Sequence, residues 1–151
     1  MIKYALKKWD ENNESLRKKI DESNINHFTY EDLVDMTFDV IFNTNVDDNH
    51  YALDVNNITM IDNCDYQGTL LFMIPFDTYQ PGPHEYFMTY VAYGSCSGCD
   101  TLQHIQIIDD DVEHEERVKE IMMLCKDLIA NTIVPYNTGW RNIEEFETVT
   151  M

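Results

Sequence analysis

Two cysteines three positions apart are the residues of this sequence best suited to chemistry. Cys96 and Cys99 lie in the stretch Gly-Ser-Cys-Ser-Gly-Cys-Asp at positions 94–100. A two-residue gap lets two thiolates hold one metal ion, and the same spacing occurs in dithiol redox pairs. The small neighbouring residues let the chain turn tightly, with both sulfur atoms on one side. This loop is therefore the first candidate site.

A zinc site needs more ligands than the loop supplies. Structural zinc takes four ligands, and the loop offers two thiols. Cys64 and His104 complete the set if the segment before the second predicted strand folds beside the loop. Zinc is therefore left open as a cofactor, with Cys96, Cys99, Cys64 and His104 as its predicted ligands, and no other cofactor is expected. A structural zinc ion would contribute on the order of 10 kcal/mol to the folded state.

Other interpretations of the loop stay open. A redox dithiol is disfavoured because strand-like residues flank both sides, whereas such pairs usually lie at the start of a helix. The simplest interpretation is structural, with compact cysteines in a turn whose glycines permit positive φ. The same turn could present backbone N–H groups to an anion or a nucleotide. For that case the predicted ligand-binding residues are Gly94, Ser95, Ser97, Gly98 and Asp100.

Acidic side chains dominate the composition. The 151 residues include 28 Asp and Glu against 10 Lys and Arg, a net charge of −18. Such a field repels nucleic-acid backbones and anionic membranes, so we expect no direct binding to either. The negative charge suits a protein that binds a basic surface on a partner protein. The predicted partner contacts combine acidic residues with tyrosines, which are favoured at interfaces: Tyr86, Tyr90, Glu113, Glu115 and Glu116.

The sequence carries no motif of a known reaction. It has no Ser-His-Asp signature, no Walker motif and no dinucleotide fingerprint. It therefore leans towards a non-enzymatic protein, and no residue is assigned as catalytic. The first residues lack the apolar segment of a signal peptide, and no apolar run approaches the ~20 residues of a membrane span. We expect a cytoplasmic protein with reduced or metal-bound cysteines.

Hydrophobic periodicity predicts a single α+β domain over residues 1–151. N-terminal helices are expected within residues 10–44, a β-rich middle within 51–108, and a C-terminal helix within 110–133 followed by a tail. The second helix is predicted to start at Thr29 with a capping box. The third is expected to be capped by the aspartates at 109–111.

The β-rich middle contains the predicted sheet. Its strands are expected at 58–61, 70–76, 86–93 and 102–108, which are rich in Ile, Val, Phe and Tyr. Short connectors favour an antiparallel sheet of about four strands with the helices packed on one face. The other face is left open, either exposed or paired with a second copy of the chain, so a homo-oligomer is one outcome.

Two motifs in this region resemble those of a known group of proteins. DYQG at 65–68 and YGSCSGCD at 93–100 are similar to a motif pair in a family of small, largely uncharacterised bacteriophage proteins. The resemblance spans residues 65–103. It implies a phage origin and an accessory role in the cytoplasm of the host cell. By analogy with other small acidic phage proteins, it implies binding and inhibition of a host protein involved in defence, or sequestration of a nucleotide signal. A zinc-binding protein or enzyme is the remaining alternative.

Overall fold

A computed structural model describes residues 2–63, 67–107 and 113–134. Within these residues the chain forms four α-helices and one three-stranded antiparallel sheet, which confirms the predicted α+β class. No helix among them is both long and apolar enough to cross a membrane. In chain order the elements are α1 Ile2–Asp21, α2 Tyr30–Asn43, β1 Thr59–Asp62, β2 Gly68–Pro75, β3 Tyr86–Tyr93, α3 Thr101–Ile107 and α4 His114–Ala130.

The first helix is longer than the sequence pattern predicted. The prediction started it at residue 10, whereas α1 begins at Ile2. Tyr4 and Trp9 are buried, as are Leu16 and Ile20 further along the helix. These side chains pack the whole length of α1 against α2 and α4. Burial of this apolar face, rather than local helix propensity, accounts for the extra turns at the N-terminus.

Helix α1 also supplies partners for the C-terminal end of α2. Lys8 Nζ donates hydrogen bonds to the carbonyl oxygens of Thr44 at 2.8 Å and Asn45 at 3.0 Å. Asn12 Nδ2 donates to the carbonyl oxygen of Ile41 at 2.8 Å. The last carbonyls of a helix have no intrahelical donor, so such side chains stabilise the helix end. Lys8 and Asn12 are both buried, which makes them part of the helix packing.

The start of α2 confirms the predicted capping box. Thr29 Oγ1 accepts the backbone N–H of Asp32 at 3.1 Å, and Asp32 Oδ2 accepts the backbone N–H of Thr29 at 3.0 Å. The two bonds satisfy N–H groups that the first turn of a helix leaves without partners. Beyond the cap, Phe38, Ile41 and Phe42 are buried, as their helical spacing predicted.

The central strand of the sheet is β2, which pairs antiparallel with β1 on one side and β3 on the other. Phe72 and Ile74 of β2 are fully buried, whereas the alternate residue Met73 is half-buried. Because side chains alternate along a strand, one face of the sheet lies against the helices. On that face Thr89 Oγ1 donates to the carbonyl oxygen of Leu128 in α4 at 2.6 Å. The predicted packing of helices on one face is confirmed.

The predicted fourth strand at 102–108 is wrong, because Thr101–Ile107 form helix α3. Leu102 and Ile105 are buried and three positions apart, the period of a helix face. Asp100 stands before the helix, and its Oδ1 accepts the backbone N–H of Gln103 at 2.9 Å. A side-chain oxygen bonded to the third helical N–H is an N-cap. The described part of the sheet therefore has three strands.

The C-terminal helix covers less than the predicted 110–133, because α4 ends at Ala130. After the helix, Ile133 forms a β-bridge with Met88 of β3, with two N–H···O bonds of 2.8 Å. The predicted cap at 109–111 lies outside the described residues, as does the tail after residue 134.

Candidate functional site

Residues 94–100 connect β3 to α3 and contain the two cysteines predicted to do chemistry. The end residues of this loop, Gly94 and Asp100, are buried. Cys96 and Cys99 are exposed and both are free thiols. The loop is thus anchored in the protein at both ends and presents its thiols to solvent.

Asp100 is the anchor of the loop, and the residue is only 4 % exposed. Its Oδ2 accepts the backbone N–H of Gly94 at 2.9 Å, and its Oδ1 accepts the backbone N–H of Gln103 at 2.9 Å and the hydroxyl of Tyr30 at 3.0 Å. The Tyr30 oxygen in turn accepts the backbone N–H of Leu102 at 3.3 Å. Buried polar groups need such partners, and these three donors satisfy the carboxylate.

The environment of Tyr30 keeps its hydroxyl in the donor form. Burial raises the Tyr30 pKa, and the nearby Asp100 carboxylate raises it further, whereas the bond from the Leu102 N–H acts in the opposite direction. A phenol that stays protonated donates to the carboxylate across the physiological pH range. The bond therefore joins α2 to the loop over a wide pH range.

Hydrogen bonds within the loop bear on the predicted ligand-binding residues. The N–H of Gly94 goes to Asp100, and the N–H of Cys99 goes to the carbonyl oxygen of Cys96 at 3.1 Å. The Gly94 N–H, which was expected to bind an external anion, is therefore already bonded to a carboxylate of the chain itself. Ser95 and Gly98 are exposed and Ser97 is half-buried. Ligand binding by this loop stays a prediction.

Gly94 is required by close packing and not by its backbone angles. Neither Gly94 nor Gly98 has a positive φ, in contrast to the expectation from the sequence. A Cβ atom at Gly94 would lie 2.4 Å from the carbonyl oxygen of Cys99 and 2.6 Å from its Sγ. A Cβ atom at Gly98 would meet nothing nearer than the Cys96 Sγ, at 3.9 Å. The two glycines of the motif therefore have different structural requirements.

The two thiols interact directly. The Sγ atoms of Cys96 and Cys99 are 3.0 Å apart, and the Cys96 backbone N–H donates to the Cys99 Sγ at 3.3 Å. Ser95 Oγ lies 4.0 Å from the same sulfur. The Cys96 thiol and then the Cys96 N–H lower the pKa of Cys99, with a smaller contribution from Ser95. These donors favour the thiolate at Cys99 over the neutral thiol.

The predicted zinc ligands are only partly brought together. Cys96 and Cys99 are adjacent, whereas His104 is exposed on α3. Cys64 lies outside the described residues. In the parts of the chain that the structure describes, no group of three or more His, Cys, Asp or Glu side chains is arranged to hold a metal ion. The zinc site stays a prediction.

The predicted partner contacts lie on two separate elements. Tyr86 and Tyr90 are half-buried on β3, and strand alternation puts both on the sheet face away from the helices. Glu113 precedes α4, while Glu115 and Glu116 occupy its first turn, and all three are exposed. Their role as partner contacts is still a prediction.

An acidic groove beside α2 was not predicted from the sequence. Its volume is about 610 Å³, and its described lining residues include Asp32, Asp35, Asp39 and one lysine, Lys19. Burial raises the pKa of Asp35, and repulsion by Asp32 and Asp39 raises it further. The sequence did contain the signal, since Asp32, Asp35 and Asp39 follow the i, i+3, i+7 spacing of one helix face.

A second cavity, of about 360 Å³, adjoins the buried ends of the loop. It is lined by Gly94 and Asp100 together with the aromatic residues Phe28, Tyr30 and Tyr93. Glu31 and Asp62 also line it, and no lysine or arginine does so among the described residues. Its electrostatic character is therefore negative.

The site thus consists of a buried hydrogen-bonded anchor, an exposed pair of thiols and two neighbouring concave surfaces of negative charge. The anchor positions the loop, and the loop exposes the two thiols to solvent. Comparison of the chain with protein-family models, curated proteins and solved structures gives no match.

Proposed function

We propose that this chain is an acidic accessory protein that binds a partner protein through a basic surface of the partner and inhibits it. The resemblance to bacteriophage motifs makes a bacterial host protein, with a role in defence, the expected partner. The observation that carries the proposal is the net charge of −18. A field of this size accelerates encounter with a positively charged surface and disfavours other partners.

The acidic groove beside α2 offers the strongest local attraction for such a partner. Burial and then repulsion by Asp32 and Asp39 raise the pKa of Asp35, and the smaller opposite effect of Lys19 does not cancel that repulsion. A lysine or arginine side chain of a partner would relieve this repulsion and form charge-assisted hydrogen bonds. The groove therefore takes priority over the N-terminal glutamates of α4 as the contact surface.

Three variants of equal net charge test where the partner binds. The groove variant carries Asp35→Asn and Asp39→Asn, which line the groove, and Glu31→Gln, which precedes them by one turn of α2 and lines the second cavity. Asp32 is kept because its carboxylate belongs to the capping box of α2. The α4 variant carries Glu113→Gln, Glu115→Gln and Glu116→Gln. The control variant carries Asp10→Asn, Glu14→Gln and Glu22→Gln, which are exposed positions on or next to α1.

Each variant is used as bait in a bacterial lysate at low and high salt. We expect the wild-type chain to capture a specific basic protein at low salt and to release it at high salt, because salt screens surface charge. The groove variant is expected to lose the capture, while the control variant retains it. Failure to recover a specific partner, or capture that is indifferent to salt, would contradict the proposal. Equal loss in all variants would assign binding to net charge alone.

A small-molecule binding role is the second candidate, and the cavity beside the loop favours it. A volume of about 360 Å³ lies within the usual range for ligand pockets, roughly 300 to 1,000 Å³. The rings of Phe28, Tyr30 and Tyr93 suit a planar ligand, whereas Glu31 and Asp62 would repel phosphate groups. An uncharged or cationic ring system therefore fits better than the nucleotide considered from the sequence.

Pairs of ligands that differ only in charge test this second candidate. Nucleosides and the corresponding nucleoside monophosphates are compared by native mass spectrometry and thermal shift. We expect any nucleoside that binds to do so more tightly than its phosphate. Absence of binding by the whole panel, or tighter binding of the phosphates, would contradict the assignment of the ligand class.

A further inference from the structure

We propose that Cys96 and Cys99 form a dithiol–disulfide redox site in which Cys99 is the attacking thiol and Cys96 the resolving one. The inference depends on the loop alone and is independent of partner binding through the acidic surfaces. It assigns to the loop a thiol–disulfide exchange reaction with a low-molecular-weight disulfide as the oxidant.

The separation of the two sulfur atoms is the first argument. They lie 3.0 Å apart, and a disulfide bond is about 2.05 Å long, so closing the bond needs about 1 Å of movement. Both cysteines are exposed, so an oxidant in solution can reach them. The third described cysteine, Cys125, is fully buried in α4 and is not available for such exchange.

The hydrogen bonds at Cys99 indicate which thiol attacks. The thiolate is the reactive form of cysteine, and groups that donate to the sulfur stabilise it. Cys99 Sγ receives the backbone N–H of Cys96 at 3.3 Å and lies within reach of the Cys96 thiol. The lowered pKa of Cys99 is consistent with this arrangement. Cys96 is then the partner that closes the bond.

The surroundings of the loop keep this geometry in place. Asp100 fixes the end of the loop by its bonds to Gly94 and Tyr30, and no Cβ atom at position 94 separates the strand end from Cys99. The sequence disfavoured a redox pair because strands were expected on both sides of the thiols. The structure has a helix, α3, after the loop instead of the expected strand, but the argument for a redox pair depends on the contacts between the two cysteines and not on this helix.

The oxidation reaction can be written with a balance of atoms and electrons. The Cys99 thiolate attacks one sulfur of the oxidant, the S–S bond of the oxidant breaks, and one small thiolate leaves. Cys96, deprotonated by the departing thiolate or by solvent, then attacks the Cys99 Sγ of the mixed disulfide, and the second small thiolate leaves. Two protein thiols are oxidised to one disulfide, and one small disulfide is reduced to two thiols that carry both protons.

The test uses glutathione disulfide as oxidant and a chain with Cys64→Ser as the parent. Cys125 is retained because its burial makes it an internal report on folding. The parent is oxidised, alkylated and mapped by mass spectrometry, and then treated with dithiothreitol. We expect a monomer that has lost two hydrogen atoms, with the linkage between Cys96 and Cys99, and full recovery of both thiols after reduction.

Two matched variants identify the attacking thiol. In Cys96→Ser the serine hydroxyl and the backbone N–H still donate to Cys99, but no resolving thiol is present. We expect glutathione to accumulate on Cys99 in this variant. In Cys99→Ser the adduct on Cys96 should form roughly tenfold more slowly, because that thiol lacks the same donors. Circular dichroism and protection of Cys125 from alkylation confirm that each variant is folded.

Several results would overturn the proposal. One is a parent chain that forms no intramolecular disulfide over the range of glutathione potentials of a cell. Another is an equal rate of reaction with glutathione disulfide in the Cys96→Ser and Cys99→Ser variants. A third is tight binding of about one zinc ion per chain that protects both thiols from oxidation, which would assign the loop to metal binding. None of these results would affect capture of a basic partner, so the two proposals fail separately.

Discussion

Tyr30 and Asp100 are 70 positions apart in the sequence and are joined by a buried hydrogen bond of 3.0 Å between the phenol and the carboxylate. Tyr30 is the first residue of α2, and Asp100 caps α3. The bond therefore links two helix starts, and it positions the loop that carries the thiols. Its loss is expected to affect both the stability of the fold and the reactivity of Cys99.

Replacing Asp100 with asparagine tests the anchor. The carboxylate accepts three hydrogen bonds. In asparagine one carboxylate oxygen is replaced by an NH₂ group, which cannot accept, so at least one of the three donors would lose its acceptor. We expect Asp100→Asn to lower the free energy of unfolding by about 1–3 kcal/mol, the usual cost of an unsatisfied buried polar group. Urea denaturation measures the change.

The matched control is Asp10→Asn at an exposed position of α1, which should change stability by less than about 0.5 kcal/mol. Tyr30→Phe removes one of the three donors to Asp100 and also the acceptor of the buried Leu102 N–H, so we expect a cost of about 1–3 kcal/mol for this variant too. A double mutant whose loss equals the sum of the single losses would show that the two groups are not coupled and would contradict the assigned bond.

The two loop glycines provide a matched pair of alanine substitutions. Gly94→Ala places a Cβ atom 2.4 Å from the Cys99 carbonyl oxygen, so the backbone must shift. We expect a loss of about 1–3 kcal/mol, as for other overpacked positions. At Gly98 the nearest atom is at 3.9 Å, and Gly98→Ala should be nearly neutral. Thermal unfolding distinguishes them, and equal effects would be inconsistent with the close contact at Gly94.

Alkylation rates of the cysteines are expected to depend on pH in different ways. The Cys99 pKa is lowered from 9.0, whereas burial raises the pKa of Cys125 to about 12. Since iodoacetamide reacts with the thiolate, Cys99 should reach half its maximal rate below pH 9.0. Cys125 should react only when the protein unfolds. Peptide mapping after timed alkylation measures both rates, and prompt labelling of Cys125 in the folded protein would contradict its burial.

Asp35 is expected to be a source of instability near neutral pH. Its pKa is raised in the folded state, so the native protein binds the proton more tightly than the unfolded chain does. Stability therefore increases as the pH falls through the folded-state pKa of Asp35. Asp35→Asn should raise the melting temperature near neutral pH. The gain should shrink as the pH falls towards 3.8, the ordinary value for aspartate.

Differential scanning fluorimetry over that pH range checks this expectation. Asp10→Asn, in a helix with basic neighbours, serves as the control and should show no comparable gain. A melting temperature that is unchanged or lower in Asp35→Asn at neutral pH would mean that the repulsion from Asp32 and Asp39 is already screened by solvent.

Elements with strong local signals were predictable from the sequence. The capping box at Thr29 fixed the start of α2, because both partners lie within one helical turn. Strand β3 was predicted at its observed bounds, because a long run of aromatic and β-branched residues lies between clear turns. Burial on one face of the sheet also followed from simple alternation.

Helix α3 shows where such reasoning fails. It has seven residues, too few for periodicity to separate a helix from a strand. The sequence did carry a capping pattern, with Asp100 followed three positions later by Gln103, but the apolar residues dominated the prediction. The bond from Asp100 to Tyr30 had no local signal, since it joins residues that only the tertiary fold brings together.

The spacing of the cysteines correctly indicated that their sulfur atoms would lie close together. It could not indicate that the pKa of Cys99 would be lowered. That shift depends on how the turn places the Cys96 thiol and the Cys96 backbone N–H against the Cys99 sulfur. The spacing of carboxylates along α2 likewise indicated an acidic face. It could not indicate a groove, because the groove is also lined by residues of α1 and of the segment near Val55.

The contact beneath Gly94 limits how this chain can change in evolution. The atom nearest to an added methyl group belongs to the main chain of residue 99, so no exchange of that residue's side chain would make room for it. A descendant that discarded both sulfur atoms would still need glycine at position 94. The cysteines can therefore be lost in evolution while Gly94 is retained. A related chain with this glycine and no thiols would have kept the shape of the loop without its thiol chemistry.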